Sequence, residues 1–325
     1  VRGLIDGMPS ERVEKPFRGF IEELLQIIPP FTIFGAARRS PAALVGNLVG
    51  LVGFFTAAWL ITLLADTGQG FIMGAMGFDV AISDQWFLLA VGYYAIFSWA
   101  SALRSRDAET FALTWGSPAF LCTILGYGMV AFMSYATSYW GAPYGERVFE
   151  ISKSELGLLL GAPAAVTGFL GVVLGGRAAD WLFTKLPGGR LYVVLFGLLA
   201  PVPVIWVMFT TESKAVFLIA AAIAQLFASS ALGAAAATSQ ALVLPRMRGV
   251  ATATFFLATT LVGLALGPYL AGLISAKSGE NLSLGMLSLL WAAPIGLVLL
   301  VFALKLVPAA QERVLELGRA EPTVA

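Results

Sequence analysis

Residues 155–190 read ELGLLLGAPAAVTGFLGVVLGGRAADWLFTKLPGGR. No charged side chain stands between Glu155 and Arg177, a run long enough to cross a bilayer as a helix. Glycines recur along it at 157 and 161, then at 168, 171 and 175. Four-residue steps put small residues on one helix face and let a neighbouring backbone approach closely, as helices do in lipid. The run is expected to stop at Gly175-Gly176-Arg177. Asp180, Lys185 and Arg190 then form a tight turn that carries one acid and several bases to one membrane face.

The rest of the composition agrees with a polytopic membrane protein. Hydrophobic residues make up 58% and charged residues 12%, with a mean hydropathy of +0.85; average soluble domains carry roughly 25% charge. The net charge of +1 is spread along the chain and gives no nucleic-acid footprint. Cys122 is the single cysteine and lies in an apolar run, so no disulfide framework exists. The absence of histidine removes histidine metal sites, general bases and proton relays together. No cofactor or metal is expected. The opening VRGLIDGMPSERVEKPF is polar, has no signal-peptide core and lacks an initiator Met, so a piece of a longer chain is expected.

Residues 1–40 read as a cytoplasmic linker. Phe17, Phe20, Ile21, Leu24, Leu25 and Ile28 share one helical face, ended by Pro29-Pro30. Such a helix lies along the membrane surface, or packs on a soluble partner. Eight spans follow, at 41–65, 85–103, 117–140, 156–176, 191–210, 215–243, 249–274 and 284–304. The piece 71–82, with Gly74, Gly77 and Asp79, is too short to cross and reads as a re-entrant or surface turn. Alternating the loops from an inner N-terminus sorts sixteen of the 20 Lys and Arg to one side. Only Arg147, Lys153, Lys214 and Lys277 fall on the other. One miscounted span would scramble that split, so the positive-inside rule places both termini in the cytoplasm of a cell (inner) membrane.

No Asp, Glu, Lys or Arg lies inside any of these spans as drawn. Intramembrane ionisable groups usually mark ion pathways, so these helices carry no titrating coupling site of their own. They hold neutral polarity instead: Tyr127, Ser134, Tyr135 and Thr137 in the third span, Gln225, Ser229, Ser230 and Gln240 in the sixth, Thr252 and Thr259 in the seventh. Tyr127, Tyr135, Gln225, Gln240 and Thr259 are the candidate substrate-binding residues, with Tyr127, Tyr135 and Gln225 preferred because a large polar side chain facing lipid is disfavoured. The competing reading is hydroxyls bonded to their own backbone carbonyls. Pro143–Arg147 reads as an outer loop, either a head-group contact or a local ion pair. The bases Arg246 and Arg248 sit at the inner turn before the seventh span, where Gly263, Gly267-Pro268 and Gly272 favour bending.

Gly176 and Asp180 resemble the loop shared by the major facilitator superfamily, Gly-x-x-x-Asp followed by bases, between the second and third helices of each six-helix half. Trp181 stands where the usual base follows the acid, and the bases are spread to Lys185 and Arg190. Within that superfamily the chain is most similar to spinster-like transporters, through LGYGMVAFMSYATSYWGAPYGERVFEISKSELGLLLG, GGRAADWL, LPRMRGVATATFF and LGPYLAGLIS, about residues 117 to 275. Arg2-Gly3 resembles the end of a loop that follows the sixth helix in that family. The resemblance implies an all-α transmembrane bundle. It comprises a linker (1–40), a two-helix insertion (41–104), the six-helix C-terminal half (105–310) and a cytoplasmic tail (311–325). It also implies alternating access around a midplane cavity and an amphipathic or lipid-like small-molecule substrate, and of the site residues it carries over only Gly176 and Asp180 from the shared loop; with the neighbouring bases Arg177, Lys185, Arg190, Arg246 and Arg248 they are the candidate inner gate. The lipid bilayer and the N-terminal six-helix half are the expected partners. The alternative is a non-transporting membrane scaffold or assembly subunit, which would show a solid packed interface in place of a polar cavity. No catalytic constellation points to an enzyme.

Overall fold

Ser117, Ser152, Ser213 and Asn281 each begin a helix, and each accepts a hydrogen bond from the backbone N–H three residues on. Ser152 and Glu155 form a full capping box. Such caps satisfy the first free amides of helices that end near lipid. The computed structural model describes residues 24–29, 31–64 and 82–320. The surface helix expected from Phe17 lies mostly outside the described residues, and the apolar piece does so apart from its last residue.

Helix α1 (Phe31–Arg39) leads into α2 (Pro41–Leu64); α3 (Ile82–Arg106) and the short α4 (Ala108–Leu113) follow. Then come α5 (Pro118–Phe149), α6 (Lys153–Phe183), α7 (Gly189–Leu199), α8 (Pro201–Met208) and α9 (Lys214–Gln240). The chain closes with α10 (Arg248–Ala258), a π-helical segment (Thr259–Leu264), α11 (Gly267–Lys277), α12 (Leu282–Ser288) and α13 (Ala292–Ala320). Among the described residues, eight helical stretches are long and apolar enough to cross a membrane, and they coincide with the eight runs read from hydropathy. Two compact units divide the chain. Leu113–Val314 form one, and the other holds the described residues before Leu113 with the helix end from Leu315.

Two corrections to the sequence reading concern helix ends, and one span, at the expected place, is interrupted inside. The fourth span does not stop at Gly175-Gly176-Arg177: α6 runs on to Phe183, so Asp180 belongs to its last turn. Gly-Gly costs a helix about 1 kcal/mol per residue, which tertiary contact here outweighs. Likewise Pro143–Arg147 is no loop but the final turns of α5. The proline only forgoes one backbone bond, and Tyr144 is held in an aromatic cluster with Phe149, Phe209 and Phe217. The fifth span is broken at Ala200, where Pro201 and Pro203 interrupt the ladder between α7 and α8.

In the larger unit, glycine decides the packing. A Cβ on Gly171 would stand 2.4 Å from the Leu226 carbonyl oxygen, and one on Gly175 would stand 2.2 Å from that of Ser230. Helices α6 and α9 therefore meet backbone to backbone. Toward the other end of α6, Cβ atoms on Gly157 and Gly161 would meet nothing within 4 Å. The same glycine row thus seals one half of the α6–α9 seam and lines open space in the other. Helix α5 meets the seventh span in a similar way. Gly267 abuts the Phe132 carbonyl, Trp140 Nε1 donates to the Pro268 carbonyl at 2.8 Å, and Tyr127 stacks on Phe255 at 5.1 Å.

The smaller unit is held by a polar cluster that the hydropathy reading missed. Thr32, Asn47, Tyr94 and Ser98 are all at most 1% exposed. Tyr94 donates its hydroxyl to Asn47 Oδ1, Thr32 Oγ1 lies 2.8 Å from the Tyr94 oxygen, and Asn47 Nδ2 donates to Ser98 Oγ at 2.9 Å. This chain of bonds ties α1, α2 and α3 together. Arg39 reaches Ser105 at 3.3 Å; burial, and then the charge of Arg106, lower its guanidinium pKa. The bases flanking the hairpin therefore share one end of it.

Two stability measurements in detergent test these contacts. Gly175→Ala should lose about 1–3 kcal/mol through overpacking, whereas Gly161→Ala should match or slightly exceed wild type in thermal unfolding. Asn47→Ala, which leaves Tyr94 and Ser98 short of a partner, should cost about 1 kcal/mol; a wild-type melting profile would refute the role assigned to the cluster.

Candidate functional site

Where α6 and α9 part, a cavity of about 590 Å³ opens between α5, α6 and α9, with Met208 of α8 on its wall. Its walls are mostly apolar: Leu156, Leu160, Gly157 and Gly161 come from α6, Leu218 from α9. Polarity is concentrated at two places. Lys153 Nζ lies 3.7 Å from Glu146 Oε1, both lining residues, and both side chains are substantially exposed. Thr137 of α5 and Gln225 of α9 also contribute to the wall. Pro163 lines the cavity too; it has no N–H, so the carbonyl of Leu159, another lining residue, lacks its helical donor. The space can therefore take a mainly apolar body and offer it a few hydrogen bonds and one ion pair. Its size lies within the usual range of small-molecule pockets, roughly 300–1,000 Å³.

Of the five residues selected from sequence for substrate contact, Gln225 lines this cavity. Its Nε2 donates to Ser229 Oγ at 3.0 Å. Tyr127 is buried against Phe255. Tyr135 is 39% exposed and is not a wall residue of the cavity. Gln240 Nε2 donates to Thr252 Oγ1 at 3.1 Å, joining the sixth span to the seventh. Thr259 is buried at the start of the π-helical segment, with its hydroxyl on the Phe255 carbonyl at 2.9 Å. Sequence reasoning passed over Lys153, Leu156, Pro163 and Met208 as wall residues. The capping box at Ser152–Glu155 was the available signal that helix, not loop, begins beside Lys153.

The charged segment forms a second, separate cluster. Arg190 Nη2 donates to Asp180 Oδ1 at 3.4 Å, and its guanidinium lies 4.2 Å from the centroid of the Phe183 ring. The side chain of Arg190 is 20% exposed and that of Asp180 75%. Gly188 takes φ +65°, and a Cβ on Gly189 would meet the Leu182 carbonyl at 2.2 Å. The Gly188-Gly189 pair is thus what folds Arg190 back over the end of α6. Lys185 and Arg177 are exposed. A Cβ on Gly176 would meet open space. Arg246, in the turn Pro245–Met247, and Arg248, at the start of α10, are exposed at the turn before the seventh span.

Fold and cavity together define an α-helical multi-pass membrane protein with an amphipathic pocket inside one bundle. No family model matches the chain. It is 27% identical over 230 residues to an MFS-type efflux pump of Mycolicibacterium smegmatis, covering 70% of this chain and 53% of the pump. It is 29% identical over 187 residues to human protein spinster homolog 3, covering 53% of this chain and 35% of that protein. A solved structure of a bacterial homologue of the human lysosomal transporter spinster, inward-facing and occupied, superposes with a TM-score of 0.50 at 20% identity. That match covers 91% of this chain and 74% of the other and supports the fold. The chain thus spans about half the length of the efflux pump and about a third of spinster homolog 3. These relatives are of the kind that Gly176, Asp180 and the quoted segments resemble.

The Asp180–Arg190 contact is an exposed ion pair, worth about 0–1 kcal/mol. Asp180→Asn should therefore leave thermal stability within about 0.5 kcal/mol of wild type. Arg190→Ala, which also removes the stack on Phe183, should lose more; equal losses would contradict this division of labour.

Proposed function

We propose that this chain is the C-terminal six-helix part of a secondary active transporter, preceded by a two-helix insertion, and that it moves an amphipathic organic solute of lipid-like character by alternating access. The observation that carries the proposal is the 230-residue similarity to an MFS-type efflux pump. The mostly apolar cavity with its polar places supports it. In this reading both chain ends are cytoplasmic, a further six-helix half completes the transporter, and the apolar side chains that α6 leaves exposed, such as Leu158 and Phe169, face that half or lipid. Tyr127, Tyr135, Gln225, Gln240 and Thr259 remain the proposed substrate contacts, with Gln225 the best placed.

Asp180, Arg190, Gly176, Arg177, Lys185, Arg246 and Arg248 are the proposed inner gate. A weak, exposed ion pair at the end of a helix suits that task, because it can break and re-form without unfolding either helix. Rocking of one half against the other about a central site then exposes the solute alternately to each face. Reconstituted in vesicles as the whole transporter, Asp180→Ala should slow solute flux several-fold while expression and thermal unfolding stay at wild-type levels; unchanged flux would remove Asp180 from the gate. Gln225→Ala should weaken the apparent affinity for solute more than the maximal rate.

A further inference from the structure

Behind the large cavity lies a narrow one of about 20 Å³, between α5, the α7–α8 break and α9. Val130, Met133, Ser134, Gly197, Pro201 and Gln225 are among its lining residues. Three of them bring polar groups without a counterpart. Thr123 and Thr137, on the same helix as Ser134, each donate a hydroxyl to the carbonyl four residues earlier at 2.8 Å. Ser134 makes no such bond, nor any other among the described residues. The Gly197 carbonyl would accept from the N–H of residue 201 in an unbroken helix, but that residue is proline and has none. Gln225 uses its Nε2 on Ser229, and its Oε1 receives no donor among the described residues.

Ser134 and Gln225 are half-buried, and a polar group turned away from bulk water needs a partner that hydrocarbon cannot supply. A cavity needs about 10–15 Å³ of such space to hold one water, and that water needs two to four polar partners. The volume here admits one molecule and no cluster, and three residues that carry groups of matching type line it. We propose that this cavity is a hydration site. It holds a single water that accepts from the Ser134 hydroxyl and donates to the Gly197 carbonyl and to Gln225 Oε1. Thr137 and Gln225 line both cavities. The water therefore sits directly behind the wall of the larger one and steadies the carboxamide presented there. The site stands on geometry alone, so its failure would leave the transport reading untouched.

Hydroxyl-radical labelling in nanodiscs, with the oxidant generated from ¹⁸O-labelled water, tests it. Met133 lines the cavity and is 2% exposed, so bulk radicals do not reach it. A bound water would convert it to the labelled sulfoxide. Wild type should show that product, and Ser134→Val, which removes the hydroxyl and fills the space, should reduce it several-fold. Unlabelled Met133 in wild type, or equal labelling in the variant, would overturn the proposal. If the variant does not fold, a wild-type density map that shows ordered water decides the matter. One peak within hydrogen-bond reach of Ser134, Gly197 and Gln225 is expected, and a dry or acyl-chain-filled cavity would sink the site.

Discussion

Two backbones in direct contact hold the larger unit together. At Gly171 and Gly175, α6 lies so close to α9 that no side chain of any size fits between them. In water such a seam would be driven by burial of apolar area. In lipid that drive is absent, and dispersion between closely matched surfaces takes its place. The seam fixes where the two helices touch, and so also where they part. The space that opens beside Gly157 and Gly161 follows from the contact at the opposite end of the same helix.

A second consequence of the membrane setting is that every interruption of a helix must be accounted for. Pro143, Pro163, Pro201 and Pro268 each withdraw a backbone donor. Around Pro268 the chain answers with the indole of Trp140, which bonds the proline's own carbonyl, and with a preceding π-helical segment whose Ala265 N–H reaches back to the Thr260 carbonyl at 2.8 Å. At Pro163 both the proline and Leu159, whose carbonyl it leaves without a donor, line the large cavity. Pro143, Pro163 and Pro201 thus line cavities, and Pro268 packs on Trp140, as expected where bent backbone survives only beside a cavity or a partner.

The eight spans were legible because hydrocarbon tolerates little but apolar helix, and hydropathy reads that requirement directly. The glycine row was legible for the same reason, yet its division into a sealed half and an open half was not. Gly157 and Gly175 look alike in sequence, and only the partner helix distinguishes them. Helix ends were misjudged at Gly176 and Pro143 because charge and proline read as stop signals, whereas α6 runs on to Phe183 and α5 to Phe149, the latter around the buried ring of Tyr144. Among candidate site residues, a polar side chain's destination cannot be read from its spacing: Thr259 turns back on its own helix and Gln225 lines a cavity. Asn47 escaped attention because one amide in a strongly apolar run barely alters the average, although it is central to the smaller unit.

The connection between α5 and α6 is only three residues long, with Glu150 at φ +54° and Ile151 buried at 1% exposure. These two helices form a stiff hairpin with no slack at its tip. By contrast, the bend before α12 carries Gly279 at φ +69°, with nothing within 4 Å of its missing Cβ. An epitope or fluorophore grafted at Gly279 would report sidedness in intact cells, whereas the same graft at Ile151 would pry open the hairpin and report on a damaged protein.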